Sequence, residues 1–162
     1  MPMIPKLQEF LERSGVPYTH TVHPLAYTAR EVASAEHVPP QEVAKVVIVV
    51  AGGEYRMLVV PASKVVDFQE VREALGCNTA RLATEAELGR LFGDCELGAM
   101  PPFGSLYSMK VLMDSNLLAD ELIVFNAGTH RDVVHMRQED FRLLTRPEVV
   151  HLTREVLMER GW

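Results

Sequence analysis

Lys45-Val46-Val47-Ile48-Val49-Val50-Ala51-Gly52-Gly53-Glu54-Tyr55-Arg56-Met57-Leu58-Val59-Val60 holds two runs rich in β-branched and apolar residues on either side of a glycine pair. Branched side chains suit an extended, half-buried backbone, and a two-glycine break reaches the positive φ that tight hairpins demand. The stretch therefore predicts a β-hairpin at the centre of a sheet, with strands over 45–51 and 55–60. Lys45 opens the first run, so its charge must reach solvent, an acidic partner or an anionic ligand.

Upstream of the hairpin, Ile4, Leu7, Phe10 and Leu11 recur at helical spacing and Gly15 marks a stop. A short amphipathic helix follows from that spacing. Val16 to His23 reads as a strand ended by Pro24, and Thr28-Ala29-Arg30-Glu31 as a capping box opening a helix to about His37. Downstream, Asp67-Phe68-Gln69-Glu70 and Thr84-Glu85-Ala86-Glu87 read as two further capping boxes, whose helices stop at Gly76 and Gly93, with an extended link near Thr79 to Leu82. Lys110 to Asp114, Glu121 to Asn126 and Arg131 to Met136 are strand candidates, the last two joined by Ala127-Gly128-Thr129-His130. A final helix is expected after Thr145, with Pro147 and Glu148 in its first turn and its end at Gly161. Hairpins interspersed with single helices predict an α/β (α+β) fold: one domain over 1–162, a mixed, mostly antiparallel sheet flanked by helices.

At 162 residues and 48% hydrophobic content the chain can bury one core without disulfides or metals. A formal charge of −6 argues against coating nucleic acid by bulk electrostatics. Two cysteines without a CxxC pair, and no secretory leader pattern in Met1 to Phe10, point to a reducing cytoplasm. Apolar runs fall well short of the ~20 residues that span a bilayer. His20-x-x-His23 would point to opposite faces of a strand, and no carboxylate or thiol completes a metal site, so no metal or other cofactor is expected. No Gly-x-Ser-x-Gly elbow or Ser-x-x-Lys pair is present, and Cys77 and Cys95 read as small buried residues rather than nucleophiles.

Two prolines bracketed by glycines, in Gly98-Ala99-Met100-Pro101-Pro102-Phe103-Gly104, make a stiff loop whose backbone can approach a ligand. Together with Lys45 it suggests an anion-recognising pocket. These residues, with Glu42-Val43-Ala44-Lys45-Val46-Val47, Lys110-Val111-Leu112-Met113-Asp114 and Phe125-Asn126-Ala127-Gly128, carry a resemblance to the YbaK/ProX family of aminoacyl-tRNA editing domains, in order from about Pro24 to Leu144. The resemblance implies a strongly curved sheet with the pocket at its open face, and an aminoacyl-tRNA deacylase acting in trans on small misattached amino acids: alanine, serine or threonine, or cysteine, often on tRNA for proline. It implies Lys45 as the catalytic residue, and Gly98, Pro101, Pro102, Phe103, Gly104 and Gly128 as substrate-binding. His130, two residues past that last glycine, joins them as a group that could orient water or the ribose. Val46 departs from the polar or small residue that related sequences place after the lysine.

Each assignment has a plainer counterpart. Lys45 could be a strand-edge lysine reaching water, the loop could need Pro and Gly only for its shape, and a histidine in a turn is usually solvated. Arg30, Lys64, Arg81 and Lys110 could border the pocket and meet tRNA phosphates, or be surface charges. The expected partner is the aminoacyl-tRNA acceptor end, alone or with a synthetase holding the tRNA body, and neither DNA nor membrane. A non-catalytic nucleotide or aminoacyl-tRNA binding module that regulates a synthetase is the alternative, which the negative charge favours.

Overall fold

A computed structural model describes residues 3–156. Helix α1 (Pro5–Ser14) starts on a proline, whose missing N–H costs nothing in the first turn, and stops on Gly15 at φ 73°. Strand β1 (Tyr18–Val22) leads to α2 (Ala29–Glu36), where both halves of the Thr28–Glu31 capping box form. The hairpin forms as the sequence predicts: β2 (Ala44–Ala51) and β3 (Glu54–Pro61) pair antiparallel, with Ala51 opposite Glu54. Gly52 and Gly53 turn the chain at φ 59° and 76°, the signature of a type I′ turn that matches strand twist.

Then come β4 (Lys64–Val66), α3 (Phe68–Leu75), β5 (Ala80–Leu82), α4 (Glu85–Leu91), β6 (Lys110–Asp114), β7 (Leu122–Asn126), β8 (Asp132–Arg137), α5 (Gln138–Thr145), β9 (Glu148–Val150) and β10 (Thr153–Glu155). The expected mixed, mostly antiparallel arrangement is distributed over three sheets. The five-stranded sheet runs β5-β2-β3-β6-β9, antiparallel through β3 and parallel from β3 to β9. The antiparallel sheet β1-β8-β7 meets it at a Val43–Val124 bridge, and β10 pairs with β4.

Strand alternation divides the interior. Ala44, Val46 and Ile48 face the larger core, built with α1 around Phe103, Phe125 and Phe141, so Val46 serves packing there. Val47 and Val49 face the other way, with Leu58, Val60, Val71 and Leu152. Lys45 shares that second face because side chains alternate along a strand.

Two sequence expectations need correction. Asp67 caps α3 through one oxygen, which accepts from Gln69 N and Glu70 N, but Glu70 makes no return bond, so this is a plain N-cap rather than a box. The final helix after Thr145 is absent among the described residues: α5 ends there, Arg146 turns left-handed, and Pro147 and Glu148 lead into β9. Burial decides the matter. Asp114 is fully buried and accepts from Leu152 N, Thr153 Oγ1 and Asn116 Nδ2 at 2.8, 2.9 and 3.0 Å, which holds 150–153 extended against β6. The rest of that expected helix, from 157 onward, lies outside the described residues.

Candidate functional site

Lys45 is half-buried near the start of β2, and its Nζ donates to the Lys64 carbonyl at 3.1 Å. Burial, and then the nearby Arg30 guanidinium, hold its pKa below the ordinary lysine value. Neither Lys45 nor Arg30 makes an ion pair among the described residues. Two neighbouring cations without a carboxylate repel each other, and an anion between them would relieve both.

Arg30 stands in the first turn of α2, and the residue before the Thr28 cap leads to the second half of the site. The Tyr27 ring lies 4.9 Å, centroid to centroid, from that of His130. His130 is 8% exposed; its N–H donates to Glu96 Oε1 at 2.6 Å and its Nε2 lies 2.7 Å from the Leu97 carbonyl. A carbonyl can only accept, so Nε2 carries the proton there. Nδ1 is buried without a partner and is left, in the neutral ring, as an acceptor.

The loop and the β7–β8 turn are stitched by backbone bonds: Glu96 N to the Gly128 carbonyl at 2.8 Å, and Gly128 N to the Ala99 carbonyl at 2.9 Å. Gly98, at φ 87°, packs beside the imidazole, where a Cβ would sit in ordinary contact 3.5 Å from Cε1, so it is the backbone conformation that favours glycine here. Gly98 and His130 thus lie together, with Tyr27 over the ring.

The remaining loop residues are placed differently. Pro101 and Pro102 are buried, and the Phe103 ring is fully buried, 5.4 Å from each of Phe10, Phe125 and Phe141. Phe103 offers no face to a ligand. A Cβ on Gly104 would lie 2.3 Å from the Met109 carbonyl, and one on Gly128 2.4 Å from the Ile4 side chain. Both glycines therefore admit neighbouring protein, where the sequence suggested ligand.

Of the other cations, Lys64 is engaged by Glu155 and Arg81 by Glu87, while Lys110 is exposed. The Cys95 thiol is pushed up to about 12, chiefly by burial, which removes it as a nucleophile near neutral pH. No group of three or more His, Cys, Asp or Glu able to hold a metal occurs among the described residues, and no described helix is long and apolar enough to cross a membrane. Sequence reasoning missed Tyr27 and Glu96. Glu96 precedes the proline loop by only a few residues, but nothing local says that its carboxylate reaches the His130 amide.

Comparison with known proteins identifies the class. The aminoacyl-tRNA editing domain matches residues 23–144, and the chain belongs to that family. Its fold is similar to that of a candidate trans-editing enzyme for prolyl tRNA synthetase, with a TM-score of 0.82 and 23% identity over 92% of this chain and 95% of that one. It is similar also to the hypothetical protein APE2540 (TM-score 0.83, 21% identity, 92% and 99% covered) and to a scaffold used in computational epitope backbone grafting (0.83, 20%, 92% and 96%). At such identities the likeness speaks for the fold. No curated protein matches the chain.

Proposed function

We propose that this protein is an aminoacyl-tRNA deacylase acting in trans, which hydrolyses the ester of a tRNA mischarged with a small amino acid: alanine, serine or threonine, or cysteine, with tRNA for proline a prime candidate. The observation that carries this reading is the unpaired Lys45–Arg30 couple, joined through the first turn of α2 to a buried imidazole with a free acceptor nitrogen. Family membership supports it, and the similarity to a candidate prolyl trans-editing enzyme supports the choice of tRNA.

An aminoacyl ester is already activated toward water, so the site need only orient it, limit side-chain size and stabilise charge developing on the carbonyl oxygen. Lys45 is the cation for the terminal phosphate or that oxygen, with Arg30 beside it. His130 Nδ1 accepts from the attacking water, a ribose hydroxyl or the substrate ammonium. Gly98 lets the backbone come close. Pro101 and Pro102 stiffen the loop behind it. Selection by size then acts as a second sieve on what a synthetase cannot reject by one or two methyl groups. The site meets the acceptor end in the cytoplasm, either alone or while a synthetase holds the tRNA body.

Incubating the purified protein with a panel of aminoacyl-tRNAs, with Lys45→Ala in parallel, tests the reading. The expected result is deacylation of at least one mischarged tRNA, slowed by about 100-fold or more in the variant, the scale of losing a positioned charge in a reacting site. The net charge of −6 favours a second reading, a binding module that regulates a synthetase. Esters left intact across the panel, with aminoacyl-tRNA still bound, would establish that one instead.

A further inference from the structure

We propose that Glu36, at the last turn of α2, is a positioning residue: it clamps the helix to the β1-β8-β7 sheet and so fixes where Tyr27 and Arg30 stand at the candidate site. The link to catalysis rests on the deacylase reading, whereas the clamp itself does not.

The geometry is convergent. Thr21 Oγ1 donates to Glu36 Oε1 at 2.6 Å, and His135 Nε2 lies 2.7 Å from the same oxygen. His23 Nε2, buried and otherwise unpartnered, lies 4.0 Å from Oε2. Thr19 pairs with His135 and Thr21 with Val133, so Thr21 and His135 are diagonal neighbours on one sheet face. The Glu36 side chain is 7% exposed. Burial pushes its pKa up, but hydrogen bonds from Thr21 and His135 and the imidazole charges outweigh that, and the net direction is down. The carboxylate therefore stays charged where the enzyme works.

A helix of eight residues does not hold itself, and only Val32 and Ala33 of α2 are buried apolar anchors. Release of the carboxylate frees the C-terminal half of the helix. Its N-terminal end carries Arg30 toward Lys45 and follows Tyr27 on His130, so those contacts loosen with it. The surroundings add further charge: His20 is paired with Asp132, and Glu42 feels Asp120 and His135. Lys45 is faced by Arg30 from α2 and by Lys64 of β4, whose ammonium Glu155 engages.

The test uses the full chain with Glu36→Ala and Glu36→Gln, the second of which keeps an acceptor for Thr21 and His135. Amide exchange over 29–36 should quicken by about tenfold or more in Glu36→Ala while α3 is unchanged, as local opening requires. KM for the mischarged aminoacyl-tRNA that the wild-type protein hydrolyses should rise by about tenfold with a smaller change in kcat, the pattern of lost substrate positioning. Because Arg30 withdraws, the limb of the pH profile that reports Lys45 should move to higher pH. Glu36→Gln should recover much of both. Unchanged exchange in α2, or an equal rise in α3 and α5, overturns the clamp; local loosening without movement of KM or the pH limb overturns its positioning role. If the wild-type protein leaves every ester intact, it is the deacylase reading that fails, and exchange, which needs no substrate, still decides the clamp.

Discussion

Lys45 is a charge kept in a place that disfavours it, with burial and then Arg30 both acting against its protonated form. A lysine whose folded pKa lies below its unfolded value destabilises the fold while charged, and stability recovers as pH rises through the window between the two. Lys45→Met should therefore raise the melting temperature at neutral pH, even as the proposed deacylation slows. Thermal melts from pH 7 to pH 10.5 check the sign: the difference should shrink as pH rises, and a variant that melts lower throughout contradicts it. Gly104→Ala is the opposite case. Its Cβ would meet the Met109 carbonyl at 2.3 Å, a backbone atom that cannot swing aside, so a loss of about 1–3 kcal/mol in denaturant titrations is expected.

Among elements, those with local signals were legible in the sequence. Two glycines at positive φ announce the β2–β3 hairpin, and Thr28 with Glu31 announces α2, because each device acts within four residues. Helix α5 announces itself poorly: Arg137 at its N-cap offers no side-chain acceptor to the first-turn amides and instead donates to Glu139, while Pro147-Glu148 imitates a helix start further on. What settles 146–155 is Asp114, more than thirty residues away, and no window of sequence contains that contact. The same distance hid half the site, since Tyr27 meets His130 and Glu96 meets the His130 amide only in the folded chain. Asp114→Ala should cost about 2–4 kcal/mol, because three donors lose one buried acceptor, and it should loosen β9 and β10 first in amide exchange. Uniform loosening, or no loss, would show that β9 is held by its apolar residues instead. Thr28→Ala should cost about 1 kcal/mol, read in the same melts.

For the whole molecule, a net charge of −6 sits beside a proposed polyanionic partner. The two are compatible when contact is confined to a few phosphates near Lys45 and Arg30. Each neutralised phosphate contributes roughly −0.7 to −0.9 to the slope of log affinity against log salt, so a slope of about −2 is expected from titrations between 50 and 200 mM salt. A steep slope would mean that a broader basic surface holds the tRNA.

The strap that carries Gly98 is moored by the Phe103 ring wedged among three other aromatic side chains and by two bonds with Gly128, whose carbonyl accepts from Glu96 N and whose N–H donates to the Ala99 carbonyl. Such a mooring leaves little give. On the proposed deacylase reading, stiffness shared with the interior would set which guests fit, and softening that nest with a smaller side chain at Phe141 should blur discrimination between small and bulkier esters in the aminoacyl-tRNA panel well before the molecule melts.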